Sequence, residues 1–212
     1  MKAIRNAFVA LVVLGLIGAG LYGWWNFDLR WRPHAITRNQ AEISKLLQGA
    51  GWVSPGVSGL KLYLVTYRDS ADGIAYQQAE LPRLQAAGID TRVVPIARPD
   101  LNGQPKSTPA ERSTVAELWV NRSWDLYQSW FAVPPAAWTA TGLKPADGDV
   151  ARAAVIQASR DTVDKLRALL KTNGVNFHAP MLVWWTKDGR MEACACRDAR
   201  AWGPVRHALG VN

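Results

Sequence analysis

The residues with the clearest capacity for chemistry are the two cysteines, Cys194 and Cys196, which one residue separates. Two thiols this close can exchange with another disulfide, bond to each other, or bind a metal together with His178. They can also be small core residues, because free cysteine is among the most buried residue types. A regular strand holds the side chains at i and i+2 farther apart than a disulfide allows, so a bond within the chain requires local distortion. No zinc-type spacing surrounds the pair, and we predict no metal and no cofactor.

The element best placed to position chemistry lies earlier, in residues 60–96. A compact apolar run with turn-forming residues on both sides predicts a buried strand there. A helix is predicted next over Ile74–Ala87, with Ser70 or Asp72 as its N-cap and Gly88 after its end. A second apolar strand completes a crossover that makes a parallel pair. Unpaired N–H groups and the helix dipole favour an anion where the first strand meets the helix.

The start of the chain is predicted to be a membrane anchor. Residues 7–25 contain no charged side chain and follow Lys2 and Arg5. Roughly 20 apolar residues at ~1.5 Å rise are enough to cross a ~30 Å hydrocarbon core. A cleaved signal peptide is the alternative, although no convincing cleavage site follows the apolar run. Both interpretations export the remainder to an oxidising compartment, and the basic start predicts that residues 1–6 are cytoplasmic.

The segments after the anchor are read from their turn residues and helical periodicity. Residues 26–59 are predicted to form a juxtamembrane helix, over Ile36–Gln48, and a linker rich in glycine and proline. A helical insertion is predicted at about 109–148, with a break near Asn121–Ser123. A long helix then follows over Asp149–Lys171 and ends at an Asn-Gly pair.

The charge of the chain excludes one class of partner. The net charge is +8, and the basic residues are spread along the sequence. No cluster of lysine and arginine interleaved with aromatic residues is present, so we predict no nucleic-acid binding. A basic surface close to anionic lipid or cell-wall polymers is the simpler interpretation.

The total order of elements resembles a thioredoxin fold that carries a helical insertion. The matching segments are Leu62–Tyr67 (first strand), Leu84–Ile89 (end of the first helix), Glu117–Trp119 (insertion), Ala179-Pro180 (proline dipeptide) and Lys187-Asp188-Gly189 (hairpin turn). Residues 60–210 are similar in this order to the catalytic domain of periplasmic disulfide isomerases and related DsbA/DsbC-type oxidoreductases. The resemblance implies an α/β, thioredoxin-like domain over residues 60–212, preceded by one N-terminal transmembrane helix.

The chain departs from that family at the redox site. The family places a Cys-x-x-Cys at the start of the first helix, where this chain has Ala71, Asp72, Gly73 and Ile74. The resemblance also implies that the cis-proline loop, His178, Ala179 and Pro180, lies against those four positions. Without a thiol there, disulfide exchange has lost its nucleophile.

Two functions from different classes follow from these observations. The first is a binding or scaffolding module in a cell-envelope complex, held at the bacterial inner membrane by residues 7–25 with its C-terminal domain in the periplasm and a protein of the envelope as its partner. The second is an atypical thiol–disulfide oxidoreductase that uses Cys194 and Cys196 as its catalytic pair.

Overall fold

The computed structural model describes residues 2–27 and 29–211, and the side chains of residues 2–5, 7–10, 27 and 29 lie outside the description. The chain divides into two units, Met1–Arg32 and Pro33–Asn212. The first unit contains helix α1, Lys2–Phe27, and a short 3-10 turn, Leu29–Trp31. Among the helices of the described part, none is both long enough and apolar enough to cross a membrane, and the anchor predicted at residues 7–25 falls partly outside that part. Residues 7–10 of that segment are among those whose side chains are not described.

The second unit is a five-stranded sheet with helices on its faces. Its strands are β1 (His34–Ile36), β2 (Lys61–Tyr67), β3 (Asp90–Ile96), β4 (Met181–Trp185) and β5 (Met191–Ala195). Its α-helices are α2 (Gln40–Gly49), α3 (Ala71–Ala86), α4 (Pro109–Asn121), α5 (Trp124–Ala132), α6 (Val150–Lys171) and α7 (Trp202–Leu209).

The sheet order is β1-β5-β4-β2-β3, in which β2 and β3 are parallel and every other pair is antiparallel. Leu62 therefore lies between Thr91 of β3 and Trp184 of β4. The directions of the strands bring the C-terminal ends of β2, β3 and β5 to the same edge as the N-terminal end of β4. Loops that follow or precede these strand ends must meet at that edge.

Strand β2, which lies between β4 and β3, is buried on both faces. Leu62, Tyr63, Leu64 and Val65 are all fully buried, because helices cover the two sides of the sheet. One face packs against α6 and α2 in a continuous apolar cluster. Its members include Ile43, Leu47, Tyr63, Val65, Val94, Val163, Leu166, Leu170 and Val183. This core fixes the strand ends whose loops form the site described below.

Helix α3 begins three residues before the predicted start. The Ser70 hydroxyl accepts a hydrogen bond from the Gly73 N–H at 3.1 Å, so Ser70 rather than Asp72 is the N-cap. Gly88, with φ of 79°, follows the helix end as predicted, since this left-handed conformation favours glycine. The unit β2, α3 and β3 therefore has the order and the parallel pairing expected from the sequence.

The region before β2 differs from the prediction. The segment expected to be helical from Ile36 begins instead as strand β1, in which Ile36 pairs with Met191 of β5, and helix α2 starts only at Gln40. The compact second unit starts at Pro33, so β1 and α2 belong to the same unit as the rest of the sheet. A three-residue strand carries little local signal, because its pairing depends on a partner about 155 residues away in the chain.

The insertion is fastened to the sheet by a buried arginine. Helices α4 and α5 are separated at Arg122, in the left-handed region with φ of 52°, which confirms the predicted break. Arg68 follows β2, is 7% exposed, and donates hydrogen bonds to the carbonyl oxygens of Trp130 at 3.1 Å, Phe131 at 3.3 Å and Val133. These carbonyls at the end of α5 have no partner within their own helix, so the guanidinium satisfies them.

Candidate functional site

A groove of about 420 Å³ opens at the sheet edge where the strand ends meet. Five segments of the chain line this α3 groove: the turn after β2 with the start of α3, the second residue after β3, one side chain of α6, the loop before β4, and the residue after the Cys194-Ala195-Cys196 run. Its charged and aromatic members are Tyr67, Asp69, Asp72, Arg98, Arg167, Phe177, His178 and Arg197. The groove lies at the point where the family resemblance places the redox site.

The four positions that replace the Cys-x-x-Cys form the first turn of α3. Ala71 is exposed, Asp72 and Ile74 are half-buried, and Gly73 is buried. A β-carbon at Gly73 would collide with the Thr66 hydroxyl, so glycine lets this turn approach β2 closely. Ser70 satisfies the N–H groups of Gly73, through its hydroxyl, and of Ile74, through its carbonyl at 2.8 Å. The N–H groups of Ala71 and Asp72 are the helix donors that stay at the groove.

The proline loop lies against this turn. The Ala179–Pro180 peptide bond is cis. The Ser70 hydroxyl donates to the Ala179 carbonyl at 3.3 Å, which ties the loop to the N-cap of α3. His178 is exposed and lines the groove, whereas Pro180 is buried. The structure thus brings together the two segments that the family resemblance implies to be neighbours.

Two arginines at the groove are paired with the aspartates of the α3 turn. Arg98 Nε lies 2.5 Å from Asp69 Oδ1, and Arg197 Nε lies 3.3 Å from Asp72 Oδ2. Each pair uses the Nε atom of the guanidinium, and the terminal nitrogens have no hydrogen-bond partner within the described part of the chain. Neither aspartate caps the helix, because Ser70 does so.

Two of the groove arginines also lie over aromatic rings. The Arg98 guanidinium is 4.5 Å from the Tyr67 ring centroid, and the Arg167 guanidinium is 5.6 Å from that of Phe177. Arg167 additionally pairs with Asp164, at 2.6 Å, one turn earlier on α6. Burial raises the pKa of Tyr67, so its ring stays uncharged under Arg98. The rings restrict where these long side chains can go.

A buried carboxyl group lies on the insertion side of the same edge. Glu111 in the first turn of α4 is 8% exposed. Burial, followed by the negative charge of Asp69, raises its pKa to about 7, although the Thr108 backbone, Arg98 and Arg68 act in the opposite direction. The Glu111 Oε1 atom is buried and has no hydrogen-bond partner among the described residues. This carboxyl group therefore changes charge near neutral pH.

Cys194 and Cys196 form a disulfide, one of the alternatives left open by their spacing. Their Cα atoms are 5.2 Å apart, closer than the ~6.6 Å of two regular strand steps, because β5 ends at Ala195 and Cys196 lies beyond it. The Cys196 N–H donates to the Pro180 carbonyl at 3.1 Å. Cys194 is 6% exposed and Cys196 fully buried, so the bond is shielded from solvent.

In this structure the two sulfur atoms are bonded to each other, and His178 lies at the groove. In the part of the chain that the structure describes, no group of three or more His, Cys, Asp or Glu side chains is arranged to hold a metal ion.

Sequence reasoning missed the groove arginines. Arg98 is the second residue after β3 and Arg197 is the second residue after β5, and both strands end at the same edge as β2. A predicted sheet order would therefore have placed these two near Asp69 and Asp72. Arg167 has no such signal, because which side of α6 faces the groove depends on how that helix packs.

The sheet with its parallel β2-α3-β3 unit, antiparallel β4–β5 hairpin and proline loop belongs to a protein with a thioredoxin-like fold. The chain is similar in structure to BcfH of Salmonella enterica Typhimurium, a thioredoxin-fold protein, with a TM-score of 0.51, 15% sequence identity, and coverage of 99% of this chain and 93% of that one. At this identity the likeness shows the fold alone. No protein-family model and no curated protein matches the chain. The narrower resemblance to DsbA/DsbC-type enzymes stays a prediction.

Proposed function

We propose that the second unit is a thioredoxin-like binding module that receives a segment of another protein in the α3 groove without exchanging disulfides there. The observation that carries this proposal is an open groove, between the first turn of α3 and the Ala179-Pro180 loop, that contains no thiol. Its volume of about 420 Å³ lies within the range of ligand pockets.

The chemistry of exchange argues against catalysis in the groove. A disulfide is attacked by a thiolate, and neither Ala71 nor Ile74 can supply one. The side chains that do line the groove, arginines, aspartates and His178, are groups that bind and orient a polypeptide. The N–H groups of Ala71 and Asp72 add backbone donors of the kind that an extended segment can use.

The disulfide supports a location outside the reducing cytosol. Such bonds persist in oxidising compartments, and the Cys194–Cys196 bond is therefore consistent with a domain that works in the bacterial periplasm. We place the proposed partner in an envelope complex for this reason.

Site-specific photocrosslinking in intact cells tests the proposal. A photoreactive amino acid at His178, which is exposed in the groove, is expected to give discrete protein adducts. The matched control is the same substitution at Lys187, exposed in the hairpin turn at the other end of β4. Equal adducts from both positions, or none from His178, would contradict a groove-binding function.

The second candidate function is an oxidoreductase centred on Cys194 and Cys196. The hydrogen bond from the Cys196 N–H to the Pro180 carbonyl favours it, because this bond puts the disulfide directly behind the proline loop. Insulin reduction by the full chain that disappears in a Cys194→Ser, Cys196→Ser double variant would support this candidate. Absence of activity in the wild type removes it.

A further inference from the structure

We infer that the α3 groove selects a carboxylate-bearing segment, a stretch of polypeptide rich in aspartate or glutamate. This inference rests on the proposed function that the groove receives a protein segment, and it names the chemistry by which that segment is recognised. Three guanidinium groups, those of Arg98, Arg167 and Arg197, converge on the groove from three separate segments of the chain.

The charge balance of the groove favours an anion. Its lining holds three arginines against two aspartates, Asp69 and Asp72. The first turn of α3 contributes the partial positive charge of a helix N-terminus, with two backbone N–H groups directed outside the helix. Asp164, which pairs with Arg167, is 68% exposed and is not among the residues that line the groove.

The existing ion pairs leave the binding edges of the guanidiniums available. Arg98 and Arg197 contact their aspartates through Nε, and Arg167 contacts Asp164 through Nη1. The two terminal nitrogens of Arg98 and of Arg197 can therefore form the paired hydrogen bonds that a carboxylate accepts. A ligand carboxylate adds to the present ion pairs and does not need to displace them.

The aromatic rings prepare two of these arginines for binding. Arg98 lies over Tyr67 and Arg167 over Phe177, so part of the side-chain entropy that binding would cost is already lost. Arginine is the side chain best suited to such a site, because its planar fork can stack on a ring and bind a carboxylate at the same time. Lysine at the same positions would supply only a point charge.

Fluorescence anisotropy with three labelled peptides and the full chain tests this inference. The three peptides have the same length and differ only at alternate positions, where each carries glutamate, glutamine or lysine. In a fourth experiment, inorganic phosphate is added to compete with the labelled peptide. We expect the glutamate peptide to bind at least about tenfold more tightly than the glutamine peptide, and binding to weaken as salt is added. Excess phosphate is expected to compete only weakly, because it lacks the backbone that the groove also contacts.

Variants of the arginines locate the effect. Arg98→Gln and Arg167→Gln are each expected to lower the affinity for the glutamate peptide by about tenfold. The affinity for the glutamine peptide should not change. Arg98→Lys should restore only part of the affinity. The matched control, Arg190→Gln, removes an exposed arginine that also pairs with an aspartate, Asp188, but lies at the opposite hairpin turn, and should change nothing. Circular dichroism melts confirm that each variant is folded.

The outcomes distinguish a failure of the carboxylate inference from a failure of the proposed peptide-binding function. Equal affinity for the glutamate and glutamine peptides, or binding that the arginine variants do not alter, overturns the inference and leaves a peptide-binding groove standing. No binding of any peptide overturns both. Phosphate binding that depends on Arg98 and Arg167, without peptide binding, would make the groove a small-anion site and also overturns both.

Discussion

The α3 groove and the Cys194–Cys196 disulfide lie on either side of the same proline loop, and they differ in the two properties that disulfide exchange needs together. The groove is open to solvent and lies at a helix N-terminus, where a thiolate would be stabilised, but it has no sulfur. The disulfide supplies the sulfur, but Cys196 is fully buried and Cys194 is 6% exposed.

This difference teaches that a thioredoxin-like fold keeps its groove when the dithiol is absent. The turn at Gly73 still packs closely against β2, and the Ser70 hydroxyl still holds the proline loop. The access of a partner to the groove and the capacity for disulfide exchange are therefore separate properties of this fold. The strand ends and loops determine the first, and the two side chains at the Cys-x-x-Cys positions determine the second.

Restoring thiols to the groove is expected to have the largest effect. Ala71 and Ile74 are three residues apart on the first turn of α3, so an Ala71→Cys, Ile74→Cys double variant places two sulfurs on one face of the helix. The helix N-terminus should lower the pKa of the first thiol, and insulin reduction should rise at least about tenfold above the wild type. The same pair of cysteines at Ala151 and Ala154, which are both exposed and lie near the start of helix α6, is the control. Activity no higher than this control would show that the groove cannot support exchange.

The groove side of the molecule should also respond to pH through Glu111. Its pKa is raised to about 7 in the folded chain, above its ordinary value of 4.5, so between these values the folded state holds a proton that the unfolded state has lost. Stability therefore falls as pH rises from about 5 to 7, by up to about 3 kcal/mol. The charges that act on this carboxyl are those of Asp69, Arg98 and Arg68.

A Glu111→Gln variant tests this pH dependence by urea unfolding. It should be more stable than the wild type at pH 8 and equal to it near pH 4.5. Glu117→Gln is the control on the same helix, because its hydrogen bond with Arg152 lowers the pKa of that carboxyl. This control should lose stability at pH 8. A Glu111→Gln variant with the pH profile of the wild type would show that another group titrates.

Removing the disulfide should have a moderate effect on stability and none on the groove. A bond that closes so short a loop restricts the unfolded chain only slightly, so Cys194→Ala, Cys196→Ala should cost about 1–2 kcal/mol. In the wild type, reductant followed by an alkylating reagent should modify these cysteines only once the protein unfolds, because the sulfurs are buried. Rapid alkylation of the folded protein would instead favour the oxidoreductase.

The smallest expected effect concerns the link between α3 and the proline loop. Ser70 and Ser123 each cap a helix with the same 3.1 Å hydrogen bond, but only Ser70 also donates to Ala179. Ser123→Ala should cost about 1 kcal/mol, and Ser70→Ala a few tenths more. Hydrogen exchange should become faster around Ala179 in the second variant alone. Equal exchange in both variants would mean that the Ser70 bond does not hold the loop.

The sequence by itself was sufficient for the features that depend on neighbours in the chain. Strand β2, helix α3 and strand β3 follow from apolar runs, an N-cap residue and Gly88, all of them local signals. The break between α4 and α5 is of the same kind. The missing Cys-x-x-Cys is also a property of the sequence alone, because the two cysteines of the chain, Cys194 and Cys196, are separated by one residue.

The tertiary structure alone decided the features that join distant segments. Strand β1 forms because its backbone pairs with that of β5. Cys194 and Cys196 form a disulfide because the chain departs from strand geometry after Ala195. Arg98 and Arg167 lie 69 positions apart and meet at the α3 groove only after β3 and α6 have packed on the same sheet. The spacing of residues along the chain predicts helices and strands, because their periods extend over only a few residues. The contacts between distant segments form because burying the apolar core of the whole unit lowers its free energy, and no local pattern contains that information.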